Sequence, residues 1–256
     1  EDNVDALDLR IRMINESRER IVFANFDIRD CESARDIFAA LLAASERGVQ
    51  IQVLWDGMSG LLHGRSPVFY ALAQRPGVEI RFYNEPNPFL PWTFNGRMHD
   101  KYLIVDHTYI VLGGRNTFDL FLGDYVPDDA KSHDNDVFIW NTGSSAERSV
   151  IGQVEDYFTL VWNQPASRPA LTAMPFWLRT AAGEATDALR SRPAYAALPL
   201  RLDYTSVTVP VDRCTLLTNP THIFVKEPVL WWQLQQLMEH AEEGVYLQTP
   251  YAVPSQ

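Results

Sequence analysis

The chain has 256 residues, 46% of them hydrophobic and 21% charged, with a formal net charge of −11 at pH 7. That length supports one large domain or two small ones with ample core. The acidic balance argues against generic binding to a nucleic-acid backbone, which attracts basic proteins. Cys31 and Cys214 are the only two cysteines; their spacing suits neither a zinc site nor a disulfide framework, and a single bridge between them stays open. No apolar run reaches the roughly 20 residues of a membrane span. The opening EDNVDALDLR lacks an initiator Met and a signal-peptide pattern. It reads as the approach to a helix in mid-protein, which is expected either of a fragment with any membrane anchor upstream or of a mature N-terminus left by processing.

Residues 5–16 carry Leu7, Leu9, Ile11 and Ile14 on a helical pattern, and the apolar run 21–26 reads as a buried strand. Residues 33–47 predict a helix with Ile37, Phe38, Leu41, Leu42 and Ala44 inward and Gly48 ending it. A strand over 49–54 stops at the turn signal Asp56-Gly57. A short helix over 67–74 and an alternating strand over 78–83 follow. Residues 101–105 and 109–112 predict two strands around Asp106-His107-Thr108, then come a strand over 136–140 and a helix over 150–162. Strands alternating with helices predict an α/β fold: a mixed, mostly parallel sheet flanked by helices on both faces.

The Pro-rich stretch 166–198 reads as a connecting region with one helix near 183–190. Strand character resumes at 215–217. A helix over 227–240 places Trp231, Leu234, Leu237 and Met238 inward, so Trp231-Trp232 is expected in a core. MINESRERIVFANFDI from Met13 and MEHAEEGVYLQTPYAV from Met238 share a pattern: helix end, charged turn, apolar strand, then an aromatic, with Phe26 opposite Tyr251. This predicts a repeat of about 225 residues. The expected organisation is a first lobe over 1–165, a connection over 166–198, and the start of an incomplete second lobe over 199–256.

Residues 97–116, RMHDKYLIVDHTYIVLGGRN, carry the chemistry. Strand alternation puts His99, Lys101 and Leu103 on one face, with Asp100 and Tyr102 on the other. A neutral imidazole can attack phosphorus, and its pKa lies near working pH. A neighbouring ammonium neutralises a phosphate oxygen and the charge that develops in flight. Gly113 and Gly114 would let backbone approach a ligand closely, and the Asn116 amide can donate to a phosphate oxygen. The scheme needs no metal or other cofactor.

His99, Lys101, Asp106, Gly113, Gly114 and Asn116 match every fixed position of the HxK(x)4D(x)6GGxN motif, and the chain resembles the phospholipase D superfamily. The strand and turn at 49–57, the segment Asp134-Asn135-Asp136-Val137 and the helix end at 158–162 resemble the first lobe of bacterial cardiolipin synthases. Residues 249–254 resemble the strand that opens their second lobe. The resemblance implies a two-lobed phosphatidyltransferase in which one histidine forms a phosphohistidine and the other serves as acid and base. It implies His99 as nucleophile or acid/base, and Lys101, Gly114 and Asn116 as phosphate holders. Asp106 is part of the motif but is expected to be structural, beyond reach of phosphorus. Asp134, with Asp136 second, is the candidate to orient an imidazole. The implied partners are an anionic phospholipid such as phosphatidylglycerol, a membrane surface and a second lobe bearing the same motif.

The chain departs from the pattern in one respect: no second His-x-Lys follows. His222 precedes Phe224 at the lysine position, and His240 precedes Glu242. A truncated or lost second lobe is preferred over a pair of copies sharing one site, because of the restart near Met238. The rivals are a hydrolase or nuclease acting on another phosphodiester, and a silent lobe that binds phosphate or lipid. The aromatic stretch 87–94 reads either as a loop packed onto the lobe or as a contact for acyl chains or a bilayer interface. The stretch 60–65 reads either as a mobile cleft rim or, with His63, as a solvated loop, the simpler account; Lys226 reads as a surface lysine in preference to a cleft residue near the second lobe. The acidic run 124–136 lacks the glycine and terminal glutamate of a calcium loop.

Overall fold

The computed structural model describes residues 2–143, 149–196, 204–219, 221–223 and 227–246. Helix α1 (Asn3–Glu16), capped by the Asp2 carboxylate, leads into strand β1 (Arg20–Asn25). Helix α2 (Glu32–Glu46), strand β2 (Gln50–Asp56), helices α3 (Gly57–His63) and α4 (Pro67–Ala73) and strand β3 (Val78–Tyr83) follow. Strands β4 (Tyr102–Val105), β5 (Tyr109–Gly113) and β6 (Asp136–Trp140) precede helix α5 (Val150–Trp162). Strand β7 (Ser167–Pro169) and helices α6 (Arg179–Arg190), α7 (Pro193–Ala196), α8 (Tyr204–Val207) and α9 (Val229–Glu239) complete the described elements.

Seven strands form one sheet in the order β6-β5-β4-β1-β2-β3-β7. Strand alternation sends Ile21 and Phe23 of β1, with Leu103 and Val105 of β4, into a core under α1, α2, α4, α6 and α7. Val22 and Ala24, with Tyr102 and Ile104, enter a second core under α5. Both faces are therefore covered, as the alternation of elements predicts. The expected proportion of parallel strands is corrected. Only β1–β2 and β2–β3 are parallel, and the other four junctions are antiparallel. The link from β4 to β5 is too short for a crossover, so these strands must form a hairpin. Its turn places Asp106 and His107 at φ 51° and 55°, a conformation that Asp and His tolerate better than branched residues.

The expected connecting region 166–198 holds its expected helix as α6. It also packs onto the lobe: β7 pairs with β3, and Leu171, Ala182, Leu189 and Ala194 enter the first core. The prolines sit at an edge strand and at helix starts, positions that do not need their missing N–H. Helix α9 is expected to bury Trp231, Leu234, Leu237 and Met238, but all four are exposed, as is Trp232. Periodicity gives a helix its apolar side without supplying a layer to cover it, and no described residue of α9 is buried. Residues 215–217 form no strand. Both cysteines are free. Tyr251, Lys226 and residues 249–254 lie outside the described residues, and with them the strand half of the expected repeat.

Two buried or half-buried carboxylates fasten the lobe. Asp136 faces Arg10 of α1 at 2.9 Å and Arg115 at 3.1 Å, all three side chains nearly inaccessible. Asp106 accepts the backbone N–H groups of Arg18, Glu19 and Arg20 at 2.7, 2.9 and 2.8 Å, tying the β4–β5 turn to the start of β1. Replacing Asp136 with Ala removes the carboxylate that two buried guanidiniums face, and urea unfolding should show a loss of about 3–5 kcal/mol. Asp106→Ala leaves three backbone donors to water and should cost about 2 kcal/mol. Because Asp106 stands at the far end of β4 from His99, that variant should keep the anion affinity of the wild type.

Candidate phosphate-binding site

The site lies where β1 ends and β4 begins. Because the two strands are antiparallel, Ala24 pairs with Tyr102, so the residues leaving β1 stand beside those entering β4. This is also where the sheet reverses its order about β1, a place where open α/β sheets bind ligands.

His99 and Lys101 face the same way, as alternation requires. The Lys101 ammonium donates to the His99 carbonyl at 2.8 Å and lies 3.2 Å from Nδ1 of its ring. Asp100, on the other face, accepts a hydrogen bond from the Tyr157 hydroxyl at 2.7 Å. Lys101 is buried. Loss of hydration pulls its pKa down to about 8, although the charges of Asp100, Asp134, Asp27 and Asp56 work to hold its proton. Lys101 is thus a buried cation in the field of four carboxylates. The Phe26 ring completes the pocket wall, 4.5 Å from the His99 ring and 5.3 Å from the Lys101 ammonium.

Asn116 enters from the end of β5. Its neighbour Thr117 donates its N–H to the carbonyl of Asp27 at 2.9 Å, which pins this segment to the end of β1. The side-chain oxygen of Asn116 is buried and has no hydrogen-bond partner among the described residues.

The glycine pair lies against protein. A Cβ on Gly114 would fall on the carboxylate of Asp134, and one on Gly113 would fall on Asp136 and the carbonyl of Asn135. The glycines therefore admit the acidic segment 134–136 against the motif. Asp134 is brought beside the motif in this way, and its charge acts on Lys101. Asp136, the second candidate for orienting an imidazole, pairs through Oδ2 with Arg10 and Arg115. Asp106 stands at the turn beyond β4 and holds backbone rather than substrate.

Several residues of the site carry no motif signal. Asp56 ends β2, is fully buried, pairs with Arg97 at 3.2 Å and accepts the N–H of Met98 at 2.9 Å. It therefore sets the backbone one residue before His99. Burial pushes its carboxyl up to about 6, while Arg97 and the N–H groups of Met58 and Met98 hold it down, so near neutral pH it is mainly the carboxylate. Asp27 accepts the Ser59 hydroxyl at 2.6 Å and Arg29 at 2.7 Å, with His63 at 4.0 Å. His63 thus belongs to the rim of the site rather than to a solvated loop. The only sequence hints were the Asp56-Gly57 turn and the aromatic that follows β1.

Residues 10–162 match the family model described as "Cardiolipin synthase, PLD-like domain". Cardiolipin synthase C of Escherichia coli (strain K12) is 29% identical over 138 residues, 48% of this chain and 28% of that protein. Cardiolipin synthase B of the same organism is 32% identical over 120 residues, 46% of this chain and 28% of that protein. The matched stretch thus spans under a third of either relative. Among solved structures, phosphatidylserine synthase of Haemophilus influenzae Rd KW20 superposes with a TM-score of 0.52 at 15% identity, covering 74% of this chain and 42% of that one. That is a likeness of fold. Since the family match takes in more than half of the residues, including the whole of the histidine-lysine hairpin, the chain belongs to the phospholipase D-like domain family of the cardiolipin synthases.

Proposed function

We propose that this lobe transfers phosphatidyl groups in the manner of a cardiolipin synthase, supplying one of the two motifs of a shared site. The observation that carries the reading is the buried Lys101 ammonium within 3.2 Å of the His99 ring. In the first step a ring nitrogen of His99 attacks the phosphorus of a phospholipid such as phosphatidylglycerol. A P–N bond forms as the bond to the leaving alcohol breaks, and that oxygen takes a proton from an acid on the matching motif. In the second step the hydroxyl of an acceptor, the glycerol end of another phosphatidylglycerol, displaces the histidine after giving its proton to the same group. Lys101 and Asn116 hold the non-bridging oxygens throughout.

The resting geometry favours binding before attack. An ammonium that donates to Nδ1 fixes a neutral ring with its proton on Nε2. A phosphate oxygen entering the pocket competes for the ammonium and frees that nitrogen. Asn116, its oxygen now without a donor, would present its NH2 to phosphate after a half-turn of the amide. The acid of the first step belongs to a second lobe or a second copy, since one His-x-Lys is present in this sequence. This chain by itself is expected to bind the phosphodiester and to turn it over poorly. The same chemistry with water as acceptor gives a hydrolase.

Two measurements test this. Full-length protein quenched during turnover of labelled phosphatidylglycerol should carry the label on His99, and His99→Ala should lower turnover by at least about a thousandfold. Wild-type turnover in that variant would remove the reading. Sulfate, whose charge is constant across the range, should bind with an affinity that falls as pH rises through about 8, where unliganded Lys101 loses its proton. Lys101→Met should bind sulfate weakly and show no such step.

A further inference from the structure

Beside the phosphate site stands a loop whose composition is unlike the rest of the chain. Residues 86–96, PNPFLPWTFNG, contain no charged side chain, in a protein that is 21% charged. Four of its apolar residues point outward: Phe89 is 90% exposed, Trp92 57%, Phe94 46% and Leu90 38%. On an ordinary soluble surface such a cluster of large apolar groups is unfavourable, and its persistence marks a binding surface.

The loop is also internally fastened. Asn87 donates its N–H to the Thr93 hydroxyl at 2.8 Å, and Phe89 donates its N–H to the Asn87 side chain at 2.9 Å. The N–H groups of Leu90, Thr93 and Asn95 go to carbonyls within the loop at 2.9, 2.9 and 3.2 Å. Pro86, Pro88 and Pro91 have no N–H to satisfy. The Asn84 amide takes the carbonyls of Thr93 and Asn95 at 3.0 and 2.7 Å. Backbone polar groups satisfied from within are what entry into an apolar phase demands. Trp and Phe side chains are the types that settle at the headgroup level of a bilayer. At its base, Arg97 donates to the carbonyl of Thr93 at 3.0 Å and pairs with Asp56, which holds Met98. The apolar tip and His99 are therefore parts of one fastened segment.

We propose that residues 86–96 dock this lobe onto a lipid bilayer, with Phe89, Trp92 and Phe94 seated among the headgroups, so that a phospholipid can present its phosphodiester to His99 without leaving the membrane. The biological sense of this rests on the phosphatidyl-transfer reading above. A loop without charge on a chain of net charge −11 gains nothing from anionic lipid by attraction. Docking is by apolar burial, so it needs no anionic lipid and survives salt.

The test is flotation of the whole chain with phosphatidylcholine vesicles at low and high salt, beside sulfate binding in the same samples. The wild type should float at both salt concentrations. The Phe89→Ser/Trp92→Ser/Phe94→Ser variant should lose roughly tenfold or more in partition while keeping its sulfate affinity, which reports an intact fold and site. Trp231→Ser/Trp232→Ser, altering the exposed aromatics of α9, should float like the wild type. Flotation of the loop variant at the wild-type level, failure of the wild type to float, or loop-dependent binding to a single-stranded oligonucleotide in place of vesicles would each overturn the proposal. Flotation with no label trapped on His99 keeps the docking surface and removes the transfer reading; label without flotation does the reverse.

Discussion

The carboxylate of Asp136, set between the guanidiniums of Arg10 and Arg115, is the constraint on which the lobe is built. Three charges are taken from water at this point, and burial pulls Arg10 down while Asp136 holds its proton on. Such a group is weak evidence of net stability, but it tolerates few alternative arrangements. Arg10 belongs to α1, Arg115 follows the glycine pair, and Asp136 opens β6. One interaction therefore fixes the first helix, the end of the β4–β5 hairpin and the edge strand against each other. It also draws residues 134–136 over Gly113 and Gly114, which have no side chains to resist, and so brings Asp134 within electrostatic reach of Lys101.

Lys101 then inherits a demanding setting. Hydration that the ammonium loses on burial is replaced by a carbonyl, an imidazole, an aromatic face and the more distant field of four carboxylates. None of these is as good a partner as an oxyanion in contact. On the reading proposed above, a phosphate oxygen is that partner, and the surroundings of Lys101 hold the ammonium in place for it.

Local pattern carried much of this into the sequence. The apolar run 21–26, the alternation over 78–83 and the stripe from Ile37 to Ala44 depend on contacts that each element makes with its own sheet, so their patterns read directly. The motif was legible because His99, Lys101 and Asn116 stand at fixed spacing along one local hairpin. What was not legible depended on distant partners. Nothing around Gly113 indicates that residues 134–136 will cover it, and nothing around Asp56 indicates that it will receive the N–H of Met98. The sense of β4 and β7 follows from where they return to the sheet, which their own residues do not encode. Helix α9 shows the converse limit: Trp231 and Leu237 have the right spacing for a core and stand exposed, because spacing describes one side of an interface only.

The spacing of the motif itself is a consequence of the hairpin. Four residues of β4 carry the chain away from Lys101, pairing Tyr102 with Leu112 and Val105 with Tyr109. At about 3.3 Å per residue that is some 13 Å, so the aspartate that ends the strand cannot touch what Lys101 touches. It takes the work of the turn instead, receiving three backbone N–H groups from the approach to β1. The return strand brings Gly113 back level with the start, its N–H donated to the carbonyl of Lys101 at 3.1 Å. A side chain there would collide with the acidic segment, hence the glycines; two residues later Asn116 has passed the strand end. Histidine, lysine and asparagine lie at one end of this hairpin and aspartate at the other because a four-residue strand out and a five-residue strand back leave no other arrangement. A substitution at Asp106 and one at Lys101 should therefore be felt in different measurements, the first in unfolding and the second in anion binding, although both fall within the same contiguous motif.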